Sequence, residues 1–446
     1  MIKVGMISLG CPKNQVDSEM LLSRLNDAGF EIVGDIEADI VIINTCGFIG
    51  DAKKEAIDTI LEVCQYKEEG IVGAVVVTGC LAQRYKDEIM NEIPEVDAVI
   101  GIGANGDIVS VCRDVAEKKK VSLFPPKLSL PLEGDRLLTT PPHYAYLKIA
   151  EGCSNCCTYC AIPKIRGKFR SREMENIIAE ARSLAENGVK ELIVVAQDTT
   201  KYGIDLYGEL KLSELLRQLC RIDGIEWIRI LYCYPESITD ELIDTMASED
   251  KICKYIDIPL QHCDGSVLKR MNRKGDRESL TALINKLRAK ISDITIRTTF
   301  IVGFPGETDE NFESLCEFAD EMRFDRYGCF AYSAEEDTPA ALMENQVDED
   351  VKTERASIMN AHQQSIFEDK LDALTGKKLT VIVDGFDEEE MLYFGRSYMD
   401  APDIDTVVII SSEEELTAGQ FVTGTVKGSL GGELIVEAEI TPIDEL

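Results

Sequence analysis

A cluster of cysteines between residues 151 and 160 is the densest chemical signal in the sequence. Cys153, Cys157 and Cys160 lie in the segment EGCSNCCTYC with the spacing CxxxCxxC. Thiolates at this spacing can bind one iron-sulfur cube from a single loop, and three ligands leave one of its four irons open to another molecule. The spacing therefore predicts a reactive cluster with an open iron, in contrast to the four-thiolate cluster of an electron carrier.

Cys156 allows a second interpretation of the same segment. Cys153 and Cys156 form one CxxC pair and Cys157 and Cys160 form another, so that four thiolates could enclose a zinc ion. Zinc sites made of two such pairs usually separate them by about 15 to 20 residues, which lets the pairs face each other across the metal. Because these two pairs are adjacent, the spacing favours an iron-sulfur cluster, with zinc as the alternative.

Three further cysteines share a position relative to the predicted strands. Cys11 follows VGMISLG, Cys46 follows DIVIINT and Cys80 follows AVVVTG. In an open α/β sheet the carboxyl ends of parallel strands meet at the binding edge, and helix N-termini that begin there favour thiolate over thiol. We therefore predict that Cys11, Cys46 and Cys80 form a second three-thiolate site.

The elements that must position these cysteines predict an α/β chain with three domains. Residues 1–125 alternate apolar runs with amphipathic stretches, which predicts a Rossmann-like parallel sheet, and the Pro-rich residues 126–142 read as a linker. Residues 143–374 carry six strand-like runs, each followed by helical sequence, which predicts a partial, TIM-like (β/α)6 barrel. Short alternating runs in residues 375–446 predict a small, OB-like antiparallel β-barrel.

Charge and composition limit the partners and the location. A formal net charge of -34 opposes loose binding to a phosphate backbone, so a basic protein is a better partner and no specific DNA is expected. No run reaches the roughly 18 apolar residues of a membrane helix, and the N-terminus lacks the features of a signal peptide. We therefore expect a cytoplasmic protein with no membrane association, in which 15 cysteines indicate cluster ligation and not disulfides.

The CxxxCxxC motif, with Tyr159 before its last cysteine and a predicted barrel strand before it, resembles the radical S-adenosylmethionine (SAM) superfamily. The resemblance implies that the open iron binds SAM and that electron transfer cleaves SAM to a 5′-deoxyadenosyl radical. It also implies that Tyr159 lies near the adenine and that the segments AQDTT and IVGFPGET cradle the cofactor. The residues of these segments that we assign to SAM are Gln197, Gly303, Pro305, Gly306 and Glu307. The alternative interpretation of GFPGE is a tight turn.

The arrangement of the whole chain resembles the methylthiotransferases, and the resemblance covers nearly all of its 446 residues. These enzymes combine an N-terminal three-cysteine domain, a radical SAM barrel and a C-terminal barrel known as TRAM. The resemblance implies two [4Fe-4S] clusters and two SAM molecules: one SAM supplies the radical and the other the methyl group, while the cluster of Cys11, Cys46 and Cys80 delivers sulfur. It also implies an electron donor such as flavodoxin or ferredoxin.

Within that family, four segments resemble the branch that modifies a ribosomal protein. They are SLGCPKNQVDSE, AQDTTKYG, YIDIPLQH and YFGRSYMDAPDID, and transfer-RNA relatives usually read GCQMN where this chain has GCPKN. The resemblance implies methylthiolation of the β-carbon of an aspartate in ribosomal small-subunit protein twelve, free or on the ribosome. From residue 374 onward the chain has 16 Asp and Glu against 4 Lys and Arg, which suits a basic protein better than RNA.

Two rival functions remain at this point. The enzymatic rival is methylthiolation of a modified adenosine in transfer RNA, for which the acidic C-terminal domain is unfavourable. The non-enzymatic rival is an iron-sulfur redox sensor or cluster carrier, which explains the cysteines but gives the predicted six-fold barrel no purpose.

A basic run directly follows the first cysteine motif. We expect it to hold the carboxylate of the cofactor or of the substrate aspartate through charge-assisted hydrogen bonds, and the alternative is a solvated loop. The run consists of Lys164, Arg166, Lys168, Arg170 and Arg172.

Overall fold

The computed structural model describes residues 1–439, apart from the side chain of Asp87. Residues 440–446, the end of the predicted C-terminal domain 375–446, lie outside the described residues. Among the helices of residues 1–439, none combines the length and the apolar character needed to cross a bilayer.

A six-stranded, entirely parallel sheet forms the N-terminal part of the chain. Its strands are β1 Lys3–Ser8, β2 Glu31–Ile32, β3 Ile40–Thr45, β4 Ala74–Thr78, β5 Ala98–Ile100 and β6 Val121–Leu123, in the order β2-β1-β3-β4-β5-β6. Its helices are α1 Pro12–Asp27, α2 Gly50–Glu68, α3 Gly79–Glu92 and α4 Ile108–Ala116. Helices α1 and α4 pack on one face, and α2 and α3 pack on the other. Both faces are therefore covered, as the continuous apolar runs of β3 and β4 require.

Six parallel strands form the central partial barrel, with β14 and β7 as its open edges. In chain order, and including the short antiparallel pair β8–β9, the strands are β7 Tyr144–Lys148, β8 Ala150–Glu151, β9 Arg170–Ser171, β10 Glu191–Val195, β11 Trp227–Ile230, β12 Ile252–Asp257, β13 Thr295–Val302 and β14 Arg326–Ala331. The helices are α5 Ile162–Arg166, α6 Met174–Glu186, α7 Leu212–Leu219, α8 Asp240–Ser248, α9 Gly265–Arg270, α10 Arg277–Lys290, α11 Asp309–Met322 and α12 Glu349–Asp372.

Alternation along the barrel strands separates two apolar clusters. In β7, Ala145 and Leu147 pack against the surrounding helices, whereas Tyr144 and Tyr146 belong to a cluster on the opposite face. Val16 and Met20 of α1 join that second cluster. One helix of the N-terminal sheet therefore packs on the inner side of the barrel strands, which brings the two cysteine-bearing regions together.

The C-terminal part is a closed five-stranded barrel. Its strands are β15 Lys378–Asp387, β16 Leu392–Ser397, β17 Val408–Ser411, β18 Phe421–Leu430 and β19 Glu433–Ala438. Neighbouring strands pair in antiparallel fashion except β17 and β19, which pair in parallel. The predicted α/β fold class, with a parallel N-terminal sheet, a partial barrel and a small C-terminal β-barrel, is confirmed.

A buried group of charges joins the C-terminal barrel to the central one. Glu191, at the start of β10, accepts a hydrogen bond from Arg229 at 2.8 Å and another from Arg396 of β16. Burial raises the pKa of Glu191, but Arg396 and Arg229 lower it more, so the carboxyl pKa lies below its usual value. The carboxylate is therefore the counter-ion of two buried guanidinium groups.

Replacing Glu191 by Gln is expected to lower the free energy of unfolding by about 3–5 kcal/mol, because it leaves buried cations without their counter-charge. Anaerobic urea denaturation followed by circular dichroism measures this change. Glu226→Gln is the matched control, since Glu226 is exposed just before β11. Equal stabilities of the two variants would show that the contact does not depend on charge.

Candidate functional site

The carboxyl edge of the N-terminal sheet brings Cys11, Cys46 and Cys80 together. Cys11 directly precedes α1, Cys46 follows β3, and Cys80 lies in the first turn of α3. These elements follow three adjacent parallel strands, β1, β3 and β4. Burial, together with the neighbouring thiols of Cys80 and Cys11, raises the pKa of Cys46 to about 12. The three sulfur atoms are therefore close enough to influence one another.

Two cations border this group of cysteines, which we call the N-terminal triad. Burial raises the pKa of Cys11, but Lys13 and Arg166 lower it more, so that it lies below its usual value. Arg166 Nε also donates a hydrogen bond to Cys80 Sγ at 3.4 Å. Cations beside thiols favour the thiolate form, which is the form that binds metal. The surroundings of the N-terminal triad therefore fit an anionic cluster with thiolate ligands.

The loop after β8 carries the second group, Cys153, Cys157 and Cys160, which we call the barrel triad. Cys153 and Cys157 are buried and Cys160 is half-buried. Burial is the main cause that raises the pKa of Cys153 to about 11 and that of Cys160 to about 12. Asp198 and Cys157 add to the shift of Cys153, and Cys157 and Cys153 add to that of Cys160. Cys157 Sγ lies 3.1 Å from the hydroxyl oxygen of Tyr234.

Burial separates the four cysteines of the zinc alternative. Cys156 is exposed, whereas Cys153 and Cys157 are buried and Cys160 is half-buried. The ligands of an iron-sulfur cube bind different iron atoms, so three thiolates can hold one without Cys156. Cys153, Cys157 and Cys160 therefore stay the expected ligands of a cube, and four-cysteine zinc stays the alternative.

The segment 303–307 lies beside the barrel triad, where the sequence places a cofactor. The ring of Tyr159 meets that of Phe304 edge-on, with 6.5 Å between centroids. Arg270 donates to the carbonyl oxygens of Pro305 and Gly306, and its own carbonyl accepts from Thr158. Arg270 thereby connects this segment to the cysteine loop.

Glu307 holds the turn in place. Its carboxylate accepts hydrogen bonds from the backbone nitrogens of Gly303 at 2.9 Å and Phe304 at 3.3 Å, and it pairs with Arg355. The alternative interpretation of GFPGE as a tight turn therefore describes Glu307 well, and most backbone groups of residues 303–306 are hydrogen-bonded within the protein.

Unpaired polar atoms mark the space next to the barrel triad. Gln197 donates from Nε2 to Glu151 at 2.9 Å, while its buried Oε1 has no hydrogen-bond partner among the described residues. Arg273 lies 4.2 Å from the centre of the Tyr234 ring, and its buried Nε and Nη1 also have no partner within residues 1–439. A buried guanidinium normally pairs with an anion, so this position fits a bound carboxylate.

Sequence reasoning missed Arg273 and Tyr234. Arg273 lies in a charged loop between α9 and α10, and Tyr234 follows β11, so neither stands in a recognisable spacing with the cysteines. A polar side chain just after a predicted barrel strand was the one available signal for Tyr234.

The basic run after the barrel triad has partners within the protein, which corrects our expectation for two of its members. Arg166 pairs with Asp17 at 2.7 Å and with Glu151 at 3.0 Å, and Arg172 pairs with Glu133 and Glu180. Both arginines are buried. They therefore do not belong to a solvated loop. Their guanidinium groups are not free to bind the carboxylate of a ligand, because carboxylates from other elements of the fold already neutralise them.

Four of these groups form what we call the buried charge cluster: Asp17, Lys148, Glu151 and Arg166. Each is at most 3% exposed, and both cations contact both carboxylates. Burial raises the pKa of Glu151, but Arg166 and Lys148 prevail and lower it to about 2. Asp17 belongs to α1, and the other three residues belong to the barrel region. The cluster therefore holds the N-terminal sheet against the barrel at the place where each carries its cysteine triad.

Three family models match the chain. They are the Radical SAM superfamily over residues 147–319, the Uncharacterized protein family UPF0004 over residues 3–101, and the TRAM domain over residues 375–438. Each triad therefore lies in a separate matched region: the N-terminal triad in 3–101 and the barrel triad in 147–319.

Curated relatives match over almost the whole length. "Ribosomal protein uS12 methylthiotransferase RimO" of Lachnoclostridium phytofermentans is 51% identical over 440 residues, covering 98% of this chain and 100% of the relative. The protein of the same name from Caldanaerobacter subterraneus is 52% identical with the same coverage. The solved radical SAM methyltransferase TsrM from Kitasatospora setae has a TM-score of 0.56 at 14% identity, covering 74% of this chain and 73% of TsrM, and so shares the fold.

Replacing Gly152 by Ala is expected to reduce iron binding. Gly152 has φ of +75°, and an added Cβ would lie 2.3 Å from the carbonyl oxygen of Lys168, so the cysteine loop must move. Iron and sulfide analysis after anaerobic reconstitution measures the effect.

Gly188→Ala is the matched control for this change. Gly188 also has positive φ, +97°, but an added Cβ would meet nothing within 4 Å. Both variants carry the backbone strain of about 1–2 kcal/mol, and only Gly152→Ala carries the clash. If both variants bound iron as wild type does, the packing of the loop would not govern cluster binding.

Proposed function

The chain belongs to the RimO family of ribosomal protein uS12 methylthiotransferases, and we propose on this basis that it methylthiolates the β-carbon of an aspartate in uS12, ribosomal small-subunit protein twelve. It is a methylthiotransferase with a radical SAM domain, and this superfamily uses SAM and a [4Fe-4S] cluster. The observation that carries the proposal is that buried Arg166 contacts both Cys80 of the N-terminal triad and Glu151, two residues before Cys153 of the barrel triad.

We assign one [4Fe-4S] cluster to each triad: Cys153, Cys157 and Cys160 bind the first, and Cys11, Cys46 and Cys80 bind the second. When bound, the two clusters and two SAM molecules supply the radical, the sulfur and the methyl group. The protein contributes position, exclusion of water and electrostatics. Three thiolates in each group, with nearby cations at the N-terminal triad, support this assignment.

Residues around the barrel triad orient SAM. Arg273, with two unpaired nitrogens, would hold the methionine carboxylate, and Gln197, with its unpaired Oε1, would hold the methionine ammonium group. Tyr159 and the segment of Gly303, Pro305 and Gly306 would line the rest of the cofactor site, while Glu307 holds that segment in shape. The support for this arrangement is that these buried atoms are unsatisfied. Arg273 packs on the ring of Tyr234, whose hydroxyl lies 3.1 Å from Cys157 Sγ, and Gln197 contacts Glu151, two residues before Cys153.

The proposal extends to domains, location and partners. The N-terminal domain comprises residues 1–125, and residues 126–142 form the linker that follows it. The radical SAM domain comprises residues 143–374, and the TRAM domain comprises residues 375–446. The protein works in the cytoplasm on uS12, free or on the ribosome, and receives electrons from a flavodoxin or ferredoxin. The acidic C-terminal domain suits a basic ribosomal protein, and the full-length relatives named for uS12 make transfer RNA the weaker alternative.

Separate cysteine substitutions test the division of labour. Cys153→Ala is expected to abolish the release of 5′-deoxyadenosine from SAM, because the barrel triad loses a ligand. Cys46→Ala is expected to spare this cleavage and to stop methylthiolation of uS12. Both products are measured by mass spectrometry after anaerobic reconstitution with dithionite as reductant.

Cys156→Ala is the internal control, since Cys156 lies in the same loop but is exposed and outside the proposed set. It should retain both activities. Cleavage of SAM by the Cys153 variant would contradict the assignment of the barrel triad. A wild-type protein that released no 5′-deoxyadenosine would fit a redox sensor, and one that modified transfer RNA instead of uS12 would identify the rival substrate.

A further inference from the structure

Lys13 has an unusual environment for a buried lysine. It lies in the first turn of α1, two residues after Cys11, and is only 6% exposed. Its ammonium group forms no ion pair with any residue that the structure describes, and it lies 3.2 Å from the centre of the Tyr232 ring. Burial of an ammonium group without a counter-ion is costly, and the face of an aromatic ring compensates only part of that cost.

The other buried cations of the chain show what is missing. The two other buried lysines, Lys148 and Lys352, each pair with a glutamate, at 3.0 Å to Glu151 and 2.5 Å to Glu349. Five of the six buried arginines among the described residues also pair with carboxylates, namely Arg166, Arg172, Arg229, Arg355 and Arg396, and the sixth is Arg273 beside the barrel triad. Within residues 1–439, Lys13 is therefore a buried lysine that pairs with no carboxylate, and the acidic groups beside it are the hydroxyl of Tyr232 and the thiol of Cys11.

The position of Lys13 links the two triads. On one side it neighbours Cys11 of the N-terminal triad. On the other side it rests on Tyr232, and Tyr234, two residues further along, lies 3.1 Å from the sulfur of Cys157 in the barrel triad. Under the proposed function the reacting carbon must be reached from both triads, and the ammonium group lies between Cys11 and the tyrosine segment that contacts Cys157.

The backbone holds Tyr232 rigidly beneath the ammonium group. Tyr232 has φ of +62°, a left-handed conformation that is strained for a bulky residue. Its nitrogen donates to the carboxylate of Asp257 at 2.9 Å, and its carbonyl accepts from the nitrogen of Thr199 at 3.0 Å. Strain of this kind persists where the surroundings over-determine it and is concentrated at functional sites. The ring therefore supports Lys13 in one place.

We propose that Lys13 binds the side-chain carboxylate of the substrate aspartate and so determines both the position and the identity of the modified residue. The β-carbon is bonded directly to this carboxylate, so an ion pair with Lys13 fixes the carbon that reacts between the two triads. An ammonium group has three donors, and the ring of Tyr232 leaves donors available for the carboxylate. This inference rests on the proposed function, because it requires an aspartate as the substrate.

A binding experiment that varies enzyme and substrate together tests the role of Lys13. The probes are fluorescently labelled uS12 and a uS12 variant in which the target aspartate, located by mass spectrometry of the wild-type reaction, is replaced by asparagine. Their affinities for anaerobically reconstituted enzyme are measured by fluorescence anisotropy. The enzymes are wild type, Lys13→Met, which keeps the chain length without the charge, and Lys13→Arg, which keeps the charge.

Wild-type enzyme is expected to bind the aspartate form roughly 10- to 100-fold more tightly than the asparagine form, as a hydrogen bond between charged groups would provide. Lys13→Met should bind both forms with equal affinity, close to that of the wild type for the asparagine form, and Lys13→Arg should retain part of the preference. Affinities are compared at equal iron content, which Lys13→Arg, with a cation still beside Cys11, should share with the wild type.

Two outcomes would overturn the inference. A Lys13→Met enzyme that keeps the preference for aspartate would show that another group reads the carboxylate. Loss of iron, accompanied by equal weakening for both forms of uS12, would assign Lys13 to the cluster and not to the substrate. By contrast, a wild-type enzyme that leaves uS12 unmodified would refute the proposed function itself.

Discussion

The arrangement of the whole site depends on the buried charge cluster of Asp17, Lys148, Glu151 and Arg166. Two cations and two carboxylates balance each other out of contact with water. If the N-terminal sheet and the barrel separate, Asp17 loses both of its cations, and Lys148 and Arg166 are left with Glu151 alone. Removing one member of such a group lowers the stability by several kcal/mol, whereas the complete group adds little net stability. The cluster therefore fixes how the N-terminal sheet is aligned with the barrel more than it strengthens their association. That alignment determines where the two triads lie relative to each other.

The same charges determine the chemistry on each side of the junction. Besides its contacts within the buried charge cluster, Arg166 donates a hydrogen bond to the sulfur of Cys80. Glu151 also accepts a hydrogen bond from Gln197 beside the barrel triad. The N-terminal triad thus lies next to Arg166 and Lys13, which favour anionic ligands, whereas the barrel triad lies next to the unpaired donors of Arg273. One connected set of polar groups therefore positions both candidate sites and distributes positive charge around them.

The sequence predicts the parts of this structure that depend on local pattern. β-branched runs fix the strands of the parallel sheet, and because parallel strands end at one edge, Cys11, Cys46 and Cys80 could be grouped from sequence alone. Partners far apart in the chain could not be predicted. In the sequence, Arg166 is one member of a basic run that we expect to hold a ligand carboxylate, and its pairing with Asp17 depends on how two domains pack. The parallel pairing of β17 with β19 could not be predicted for the same reason. The alternation of apolar and polar residues shows which side chains of a strand face a core, but it does not show which strand lies beside it.

The central claim is that two groups of three thiolates each bind a [4Fe-4S] cluster with one open iron. Iron and sulfide analysis of anaerobically reconstituted protein, combined with Mössbauer spectroscopy, tests it most directly. Two such clusters give about eight irons per chain, all in [4Fe-4S] clusters, since each cube holds four irons. About four irons per chain, or zinc in place of iron, would contradict it.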